Sequence, residues 1–348
     1  MASDLSKVAA NSDLTASIDW LEITLLKIDL ASVIKQFLQL PEAEFTSLDK
    51  GRFGYRKQQK WQQGNVFVLY NATDGSDEMG IHVMLTGTGC RDYEVHHDLR
   101  RLLLCVVAMD TEANFSRLDL AIDDIGEHLL NFGRIHDAAL ARHFTSRWAK
   151  WDEVNSRKCT SGEYLGRTMY FGSQNSDIFC RIYDKTLERQ AKGDEDEPVP
   201  EHWTRWEVVY RKDRAANLAR VMATKEMAVG EAIRATLNQY LRFLTPCADT
   251  NKSRWPTAPW WERFLANVGK LVLTSRKETK SIEEMADWVN RQIGPTIAAI
   301  MKAKEGEMDW LVRIINGGVG RLSQRHLDAI SQYQTEQEKS DCNENKAV

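Results

Sequence analysis

The sequence contains no C-x-x-C pair; its six cysteines (Cys90, Cys105, Cys159, Cys180, Cys247 and Cys342) are scattered along the chain. That spacing argues against a zinc ribbon or a disulfide scaffold and fits buried free thiols in a reducing compartment. No stretch approaches the roughly 18 apolar residues of a membrane-spanning helix, and the opening MASDLSKVAANSDL lacks a signal-peptide pattern. The expectation is a cytoplasmic protein that does not engage a membrane. Strong positive charge is absent as well. The net charge is -4, so bulk electrostatics does not advertise nucleic-acid binding.

Charge is instead distributed locally. Acid gathers in GDEDEPVPE (193–201) and in TEQEKSDCNEN (335–345). Basic residues cluster at Lys50, Arg52, Arg56, Lys57 and Lys60, and again at Arg205, Arg211, Lys212, Arg214 and Arg220. At 348 residues, 43% hydrophobic and 28% charged, the chain has room for two or three domains of ordinary globular composition.

Hydrophobic periodicity gives the coarse organisation. IDWLEITL (18–25) alternates as a strand, while DLASVIKQFLQL (29–40) has helical spacing. A meander follows from Gly51 to Arg91, with TDGSDE as one of its turns, then a helix over 96–110. FSRLDLAIDD (115–124) alternates strictly, and residues 128–144 return to the helical period. RTMYFGS (167–173), IFCRIYDK (178–185) and WTRWEVVYR (203–211) read as strands, and residues 212–245 as helical throughout. The expected fold class is α+β: an antiparallel-rich sheet core with flanking helices carries the active site, and a helical C-terminal domain follows. The expected boundaries are a flexible leader (1–16), an α+β region (17–246, divisible at 110/111), a helical domain (255–335) and a disordered acidic tail (336–348).

Alternation places residues i, i+2 and i+4 of a strand on one face. In FSRLDLAID one face carries Phe115, Arg117, Asp119, Ala121 and Asp123, against Ser116, Leu118, Leu120 and Ile122. In WTRWEVVYR, Arg205, Glu207, Val209 and Arg211 oppose Trp206, Val208 and Tyr210. In IFCRIYDK, Arg181, Tyr183 and Lys185 share a face. One such strand alone is more often a solvated face or an ion-pair ladder than a site, and only the three together bring the two readings level. Three together gather carboxylates, cations and a tyrosine. Carboxylates held close on a partly buried face need a cation, and oxygen-only ligands suit a hard ion such as Mg²⁺ or Mn²⁺. Tyrosine needs help to act as a nucleophile at neutral pH; Arg181 and Lys185 on either side would favour its phenolate. Tyr170 in TMYFGS is the competing tyrosine.

RLDLAID (117–123), MYFGS (169–173), RIYDKTLE (181–188) and RWEVVYRKD (205–213) occur in an order and spacing that resembles the rolling-circle replication initiators of the plasmid/phage replication initiation factor family (Rep_trans). That group also contains the MobT-type relaxases. DWLEIT near residue 20 and GIHVMLTGTGCR (80–91) are further family-like segments, and the resemblance covers roughly residues 18–246. It implies an enzyme that nicks one strand of origin DNA, joins itself to the 5′ phosphate through a tyrosine, leaves a 3′-OH primer and later rejoins the strand. The implied nucleophile is Tyr183, with Arg181, Lys185 and Arg117 beside it. The implied ligands of a divalent metal, Mg²⁺ or Mn²⁺, are Asp119 and Asp123, with Glu207 and Glu188 at further family positions.

No histidine pair forms the His-apolar-His metal motif of another class of nicking enzymes, which agrees with a carboxylate-based site. The family-like region starts almost at once, leaving no room for the N-terminal helix-turn-helix of many MobT-type relaxases; this favours a phage or plasmid initiator over a conjugative relaxase. A non-catalytic DNA-binding regulator on the same fold is the alternative from another class. The expected partners are origin DNA (duplex, locally melted or hairpin), a second copy of the chain and a host helicase. Arg52, Arg56, Lys57 and Lys60, interleaved with Phe53, Tyr55 and Trp61, suit contacts to phosphates and unpaired bases, and Arg205 and Arg211 are further candidates.

Overall fold

The computed structural model describes residues 14–72, 79–109, 112–193, 199–266, 273, 281–322, 326–327 and 329–335. The expected leader (1–16) lies outside this description up to residue 13, as do the turn TDGSDE, the centre of the acidic loop 193–201 and the acidic tail (336–348). The described chain starts directly in strand β1 (Leu14–Leu25).

The core is one antiparallel sheet of ten strands. In chain order these are β1, β2 (Phe45–Leu48), β3 (Tyr55–Trp61), β4 (Val66–Ala72), β5 (Ile81–Leu85) and β6 (Ala113–Ile125), followed, after a short β7 (Phe144–Ser146), by β8 (Trp151–Arg157), β9 (Tyr164–Phe171), β10 (Ile178–Asp184) and β11 (Trp203–Arg211). Their spatial order is β2-β3-β4-β5-β1-β6-β11-β10-β9-β8, and β7 pairs separately with β12 (Leu241–Phe243). The three strands singled out by their alternation are therefore direct neighbours.

The apolar face is the structural core. Leu118, Leu120, Ile122, Trp206, Val208, Tyr210, Cys180 and Ile182 are buried there, under helices that include Leu99–Ala108, Asp213–Thr224 and Val229–Tyr240. Asp98 starts the first of these by accepting the Arg100 amide at 2.8 Å, an N-cap that satisfies one of the helix's open donors.

Several expectations are corrected. Residues 212–245 form two helices and strand β12 rather than one helical run. The stretch 29–40 is helical over residues 30–37 as expected, but as an α-helical turn Leu30–Ser32 that runs on into a π-helix Val33–Phe37. GTGCRDYE, read as part of the meander, is a helix (Gly87–Glu94). Strand WDEVNSR (β8) has no apolar alternation and was not expected; it is a sheet edge with a largely exposed outer end. Phe115 packs in the core, away from the charged face. The reason is a bulge at Ser116: Arg117 pairs with Glu22 but Phe115 pairs with Ile23, so the phase of β6 changes between them.

The chain divides into two compact units near residue 275. Helix Pro259–Leu265 belongs to the first, although its sequence read as the start of the C-terminal part: Trp261 and Phe264 are buried against Trp206, with ring centroids 5.5 and 6.1 Å away. The second unit contains the helices Ile282–Trp288, Gly294–Ala303 and Asp309–Val319. This assignment gives a direct expectation. Trp261→Ala should destabilise the sheet unit by about 3–5 kcal/mol, measured by urea unfolding followed through near-UV circular dichroism; an unchanged midpoint would return that helix to the C-terminal unit.

Candidate active site

The polar face of the sheet centre is built from facing acid and arginine side chains. Register places Arg205 opposite Asp123 and Glu207 opposite Arg181. Arg205 grips Asp123 with two bonds, Nε to Oδ1 at 2.7 Å and Nη2 to Oδ2 at 2.6 Å. Arg117 does the same to Asp119, two residues along its own strand, at 2.9 and 2.6 Å. Arg181 donates to Glu207 through Nε and lies in ion-pair contact through Nη2. Fork-to-carboxylate geometry of this kind is the strong form of ion pair, and burial makes it obligatory. Asp119 and Glu207 are fully buried, and Arg205 and Asp123 nearly so.

Two residues missed in the sequence complete the centre. Asp19 is the extra residue of a bulge in β1, since Ile18 pairs with Leu120 while Trp20 pairs with Asp119. The bulge turns Asp19 to the polar face, where Arg205 Nη1 donates to its Oδ1 at 3.0 Å and Arg91 reaches the same oxygen at 3.3 Å. A Cβ on Gly87 would sit 2.8 Å from Asp19 Oδ1, so the helix start can approach only as glycine. The signal was present in the sequence: the buried positions Leu14, Ala16 and Ile18 change phase to Leu21, Ile23 and Leu25. Trp203 is the second missed residue, its indole N–H donating to Asp123 Oδ1 at 2.6 Å.

Tyr183 lies within this frame, and its hydroxyl donates to Glu207 Oε1. Its surroundings differ from the expected cationic setting. Arg181 is directed at Glu207, and burial together with the adjacent Glu207 charge pushes the phenol pKa well above its usual range. Burial also raises the Asp119 and Glu207 carboxyls despite their arginines. Lys185 is not on the strand; it opens helix Lys185–Lys192, which Asp184 caps by accepting the Leu187 amide at 3.0 Å. Its ammonium still lies 5.4 Å from the Tyr183 ring centroid and 6.0 Å from that of Trp203. Burial lowers the Lys185 pKa, and the Lys185–Glu188 bond opposes this.

Glu188 lies on the helix that Lys185 opens, and its charge adds to the raising of the Tyr183 phenol. Its oxygens are held by Lys185 and Lys192; burial would raise its carboxyl, but these lysine bonds prevail and hold it low. Tyr170 faces Arg181 across β9 and β10, one strand beyond Tyr183. Of the residues read as DNA contacts, Arg52, Arg56 and Lys57 are exposed and Lys60 and Arg211 half-buried. Arg205 is buried and committed to Asp123 and Asp19. Tyr55 and Trp61 are buried too, their polar ends bonded to Met79 O and Glu44.

The donor set suits a hard divalent cation, because every candidate ligand is a carboxylate oxygen. Among the described residues no three acidic, histidine or cysteine side chains converge as a ligand set. A cation entering here would have to take carboxylate oxygens now facing arginines. The raised Asp119 and Glu207 carboxyls fit that exchange, since burial has left them short of positive charge.

The pairing itself is testable. Arg205→Ala would leave Asp123 and Asp19 buried without their shared cation, an expected loss of about 3–5 kcal/mol by denaturant unfolding. A surface phosphate contact would show no such loss.

Comparison with known proteins identifies the chain's relatives. The family model described as "Replication initiation factor" matches residues 113–315, and one described as "Rolling Circle replication initiation protein N-terminal domain" matches residues 15–101. A Bacillus subtilis (strain 168) protein named "Putative DNA relaxase NicK" is 25% identical over 303 residues, covering 85% of this chain and 84% of the relative. The solved structure of a rolling circle replication initiator protein from Geobacillus stearothermophilus superposes with a TM-score of 0.64 at 32% identity, covering 75% of this chain and 100% of that one. With more than half its length matched by the first model, and its paired-carboxylate strands inside that match, the chain belongs to the Replication initiation factor family.

Proposed function

We propose that the protein nicks one strand of a DNA origin through Tyr183 and starts rolling-circle replication. The observation that carries this reading is the Tyr183 hydroxyl donating to Glu207, with Arg181 holding that carboxylate from the other side. A general base must lie within hydrogen-bond reach of the proton it takes, and the buried, raised Glu207 carboxyl is a stronger base than an exposed one. As Glu207 accepts the phenol proton, the Tyr183 oxygen bonds to phosphorus. The bond from phosphorus to the 3′ oxygen breaks, and that oxygen takes a proton from the protonated Glu207 or from water and leaves as the 3′-OH. The 5′ phosphate stays on the tyrosine as a phosphodiester, so attack by the 3′-OH can reverse the step and reseal the strand.

Arg181 orients Glu207, and Lys185 beside the ring is placed to meet phosphate charge. Asp119, Asp123 and Glu207 are the carboxylates from which Mg²⁺ or Mn²⁺ would draw its oxygens, each having first to be released by its arginine because the three do not converge as a ligand set. When bound it would polarise the phosphodiester and stabilise the leaving charge. A second reading, a relaxase that starts conjugative transfer with the same chemistry, is favoured by the likeness to the Bacillus subtilis protein. Gene neighbours separate the two: coupling-ATPase genes accompany transfer, and coat or assembly genes accompany a phage initiator.

Supercoiled plasmid carrying the cognate origin, incubated with Mn²⁺ or Mg²⁺, should give relaxed circles and a covalent protein–DNA adduct. Tyr183→Phe should abolish the adduct and Tyr170→Phe retain it; an adduct surviving Tyr183→Phe would sink the assignment. Glu207 acts in its deprotonated form and its pKa is raised, so cleavage should fall as pH drops through a value above 4.5. Glu207→Gln should slow cleavage about 100- to 10,000-fold and remove that acid limb.

A further inference from the structure

A cavity of about 700 Å³ lies on the helical side of the sheet, away from Tyr183 and the paired carboxylates. Its floor is the start of β1, where Ala16 and Ile18 belong to the apolar core. Its walls come from the π-helix Val33–Phe37, the end of helix Gly87–Glu94 and one side of helix Leu99–Ala108. Small-molecule sites are concave, of roughly 300–1,000 Å³, and mostly apolar with a few polar groups that fix orientation. The nicking reaction makes no use of this cavity.

Its polar groups leave it short of positive charge. Two carboxyls line it, Glu94 and Asp98, against one arginine, Arg101. Arg101 donates to Gln39 Oε1 at 3.0 Å, on the cavity's own wall. Burial and the nearby Asp98 push the Glu94 carboxyl up to about 7, and Arg91 offsets this only in part. The wall next to Glu94 is aromatic. The His97 ring stacks on Tyr93 at a centroid distance of 4.7 Å, and the Tyr93 hydroxyl is fixed by donating to Leu38 O at 3.0 Å. Burial, with the neighbouring His96 and Arg101, holds the His97 pKa below its usual value, which keeps that ring neutral at neutral pH.

We propose that the cavity binds a small aliphatic amine, its ammonium against Glu94 and its carbon chain on Ile18, Phe37 and Leu102. An ammonium supplies the charge that burial denies Glu94, and it gains further from an aromatic face. An anion would meet the two carboxyls, and an uncharged ligand would leave Glu94 desolvated without a partner. A bare divalent ion needs several converging oxygen ligands, and among the described residues no three acidic, histidine or cysteine side chains converge. The site lies on the other side of the sheet from the nicking centre and stands whether or not Tyr183 is the nucleophile.

The test is isothermal titration calorimetry on the full chain with putrescine, butylamine and butyrate, at about 0.15 M salt to screen non-specific attraction. Both amines should bind saturably and butyrate should not. Ionised Glu94 is the form that pairs, so affinity should fall as pH drops through about 7, and binding near that pH should release a proton. The other charged or titratable groups beside Glu94 or along the cavity are Asp98, Arg91, Arg101, His96, His97 and Cys105. Glu94→Gln separates its contribution from theirs: binding should weaken roughly 10- to 100-fold and the pH profile should flatten. A second measurement does not depend on that variant. Cys105 lines the cavity, while Cys159 and Cys247 are exposed elsewhere. Putrescine should slow alkylation of Cys105 by N-ethylmaleimide, read by peptide mass spectrometry, and leave Cys159 and Cys247 unchanged. Absence of saturable amine binding overturns the site, as does equal binding of butyrate. So does a Glu94→Gln protein that melts like its parent and binds as tightly, or a Cys105 no better protected than Cys159 and Cys247.

Discussion

A carboxylate taken out of water costs several kcal/mol unless a cation goes with it, and the middle of this sheet buries Asp119, Asp123 and Glu207 together. Each is held by an arginine, either directly across the ladder or two residues along the strand. The rest of the architecture follows from keeping those pairs in register. A slip of one residue between β6 and β11 would exchange every charged position for Leu, Ile, Val or Trp. The opposite face is therefore packed with large apolar side chains and covered by helices.

The same pairs set the state of Tyr183. A tyrosine flanked by free cations would carry a lowered pKa and stand partly ionised. Here the arginine charge is spent on the carboxylates, and Tyr183 shares its proton with Glu207. The resting phenol is thus neutral. Any lowering of that pKa would have to come from the Tyr183–Glu207 pairing or from positive charge added to the face.

Much of this was legible in the residues. Strict alternation in RLDLAID and WTRWEVVYR assigned both faces of β6 and β11, because a half-buried strand writes its environment with period two. Tyr183 and Arg181 were placed on the correct face for the same reason. Lys185 was misassigned to the strand because alternation has no means of showing where a helix begins; the Asp184 side chain, acting as a cap, ends the strand one residue earlier. The bulges at Asp19 and Ser116 were misread because each breaks the period on which the reading depends. Arg205 was read as a surface contact since its partners, Asp123 and Asp19, lie on other strands far away in the chain. The edge strand β8 has no buried face to betray it.

The two bulges have a further consequence. One adds a residue to β1 and the other adds a residue to β6, so the ladder shifts by one and then shifts back. The region matched by the N-terminal family model contributes β1, and the region matched by the second model starts at β6. Their seam is therefore keyed: a β1 without the extra residue would meet this β6 with its apolar side turned the wrong way over part of its length. Exchange of N-terminal halves between such proteins is then limited to partners cut to the same key, and a recombinant can inherit a new half only together with its matching kinks.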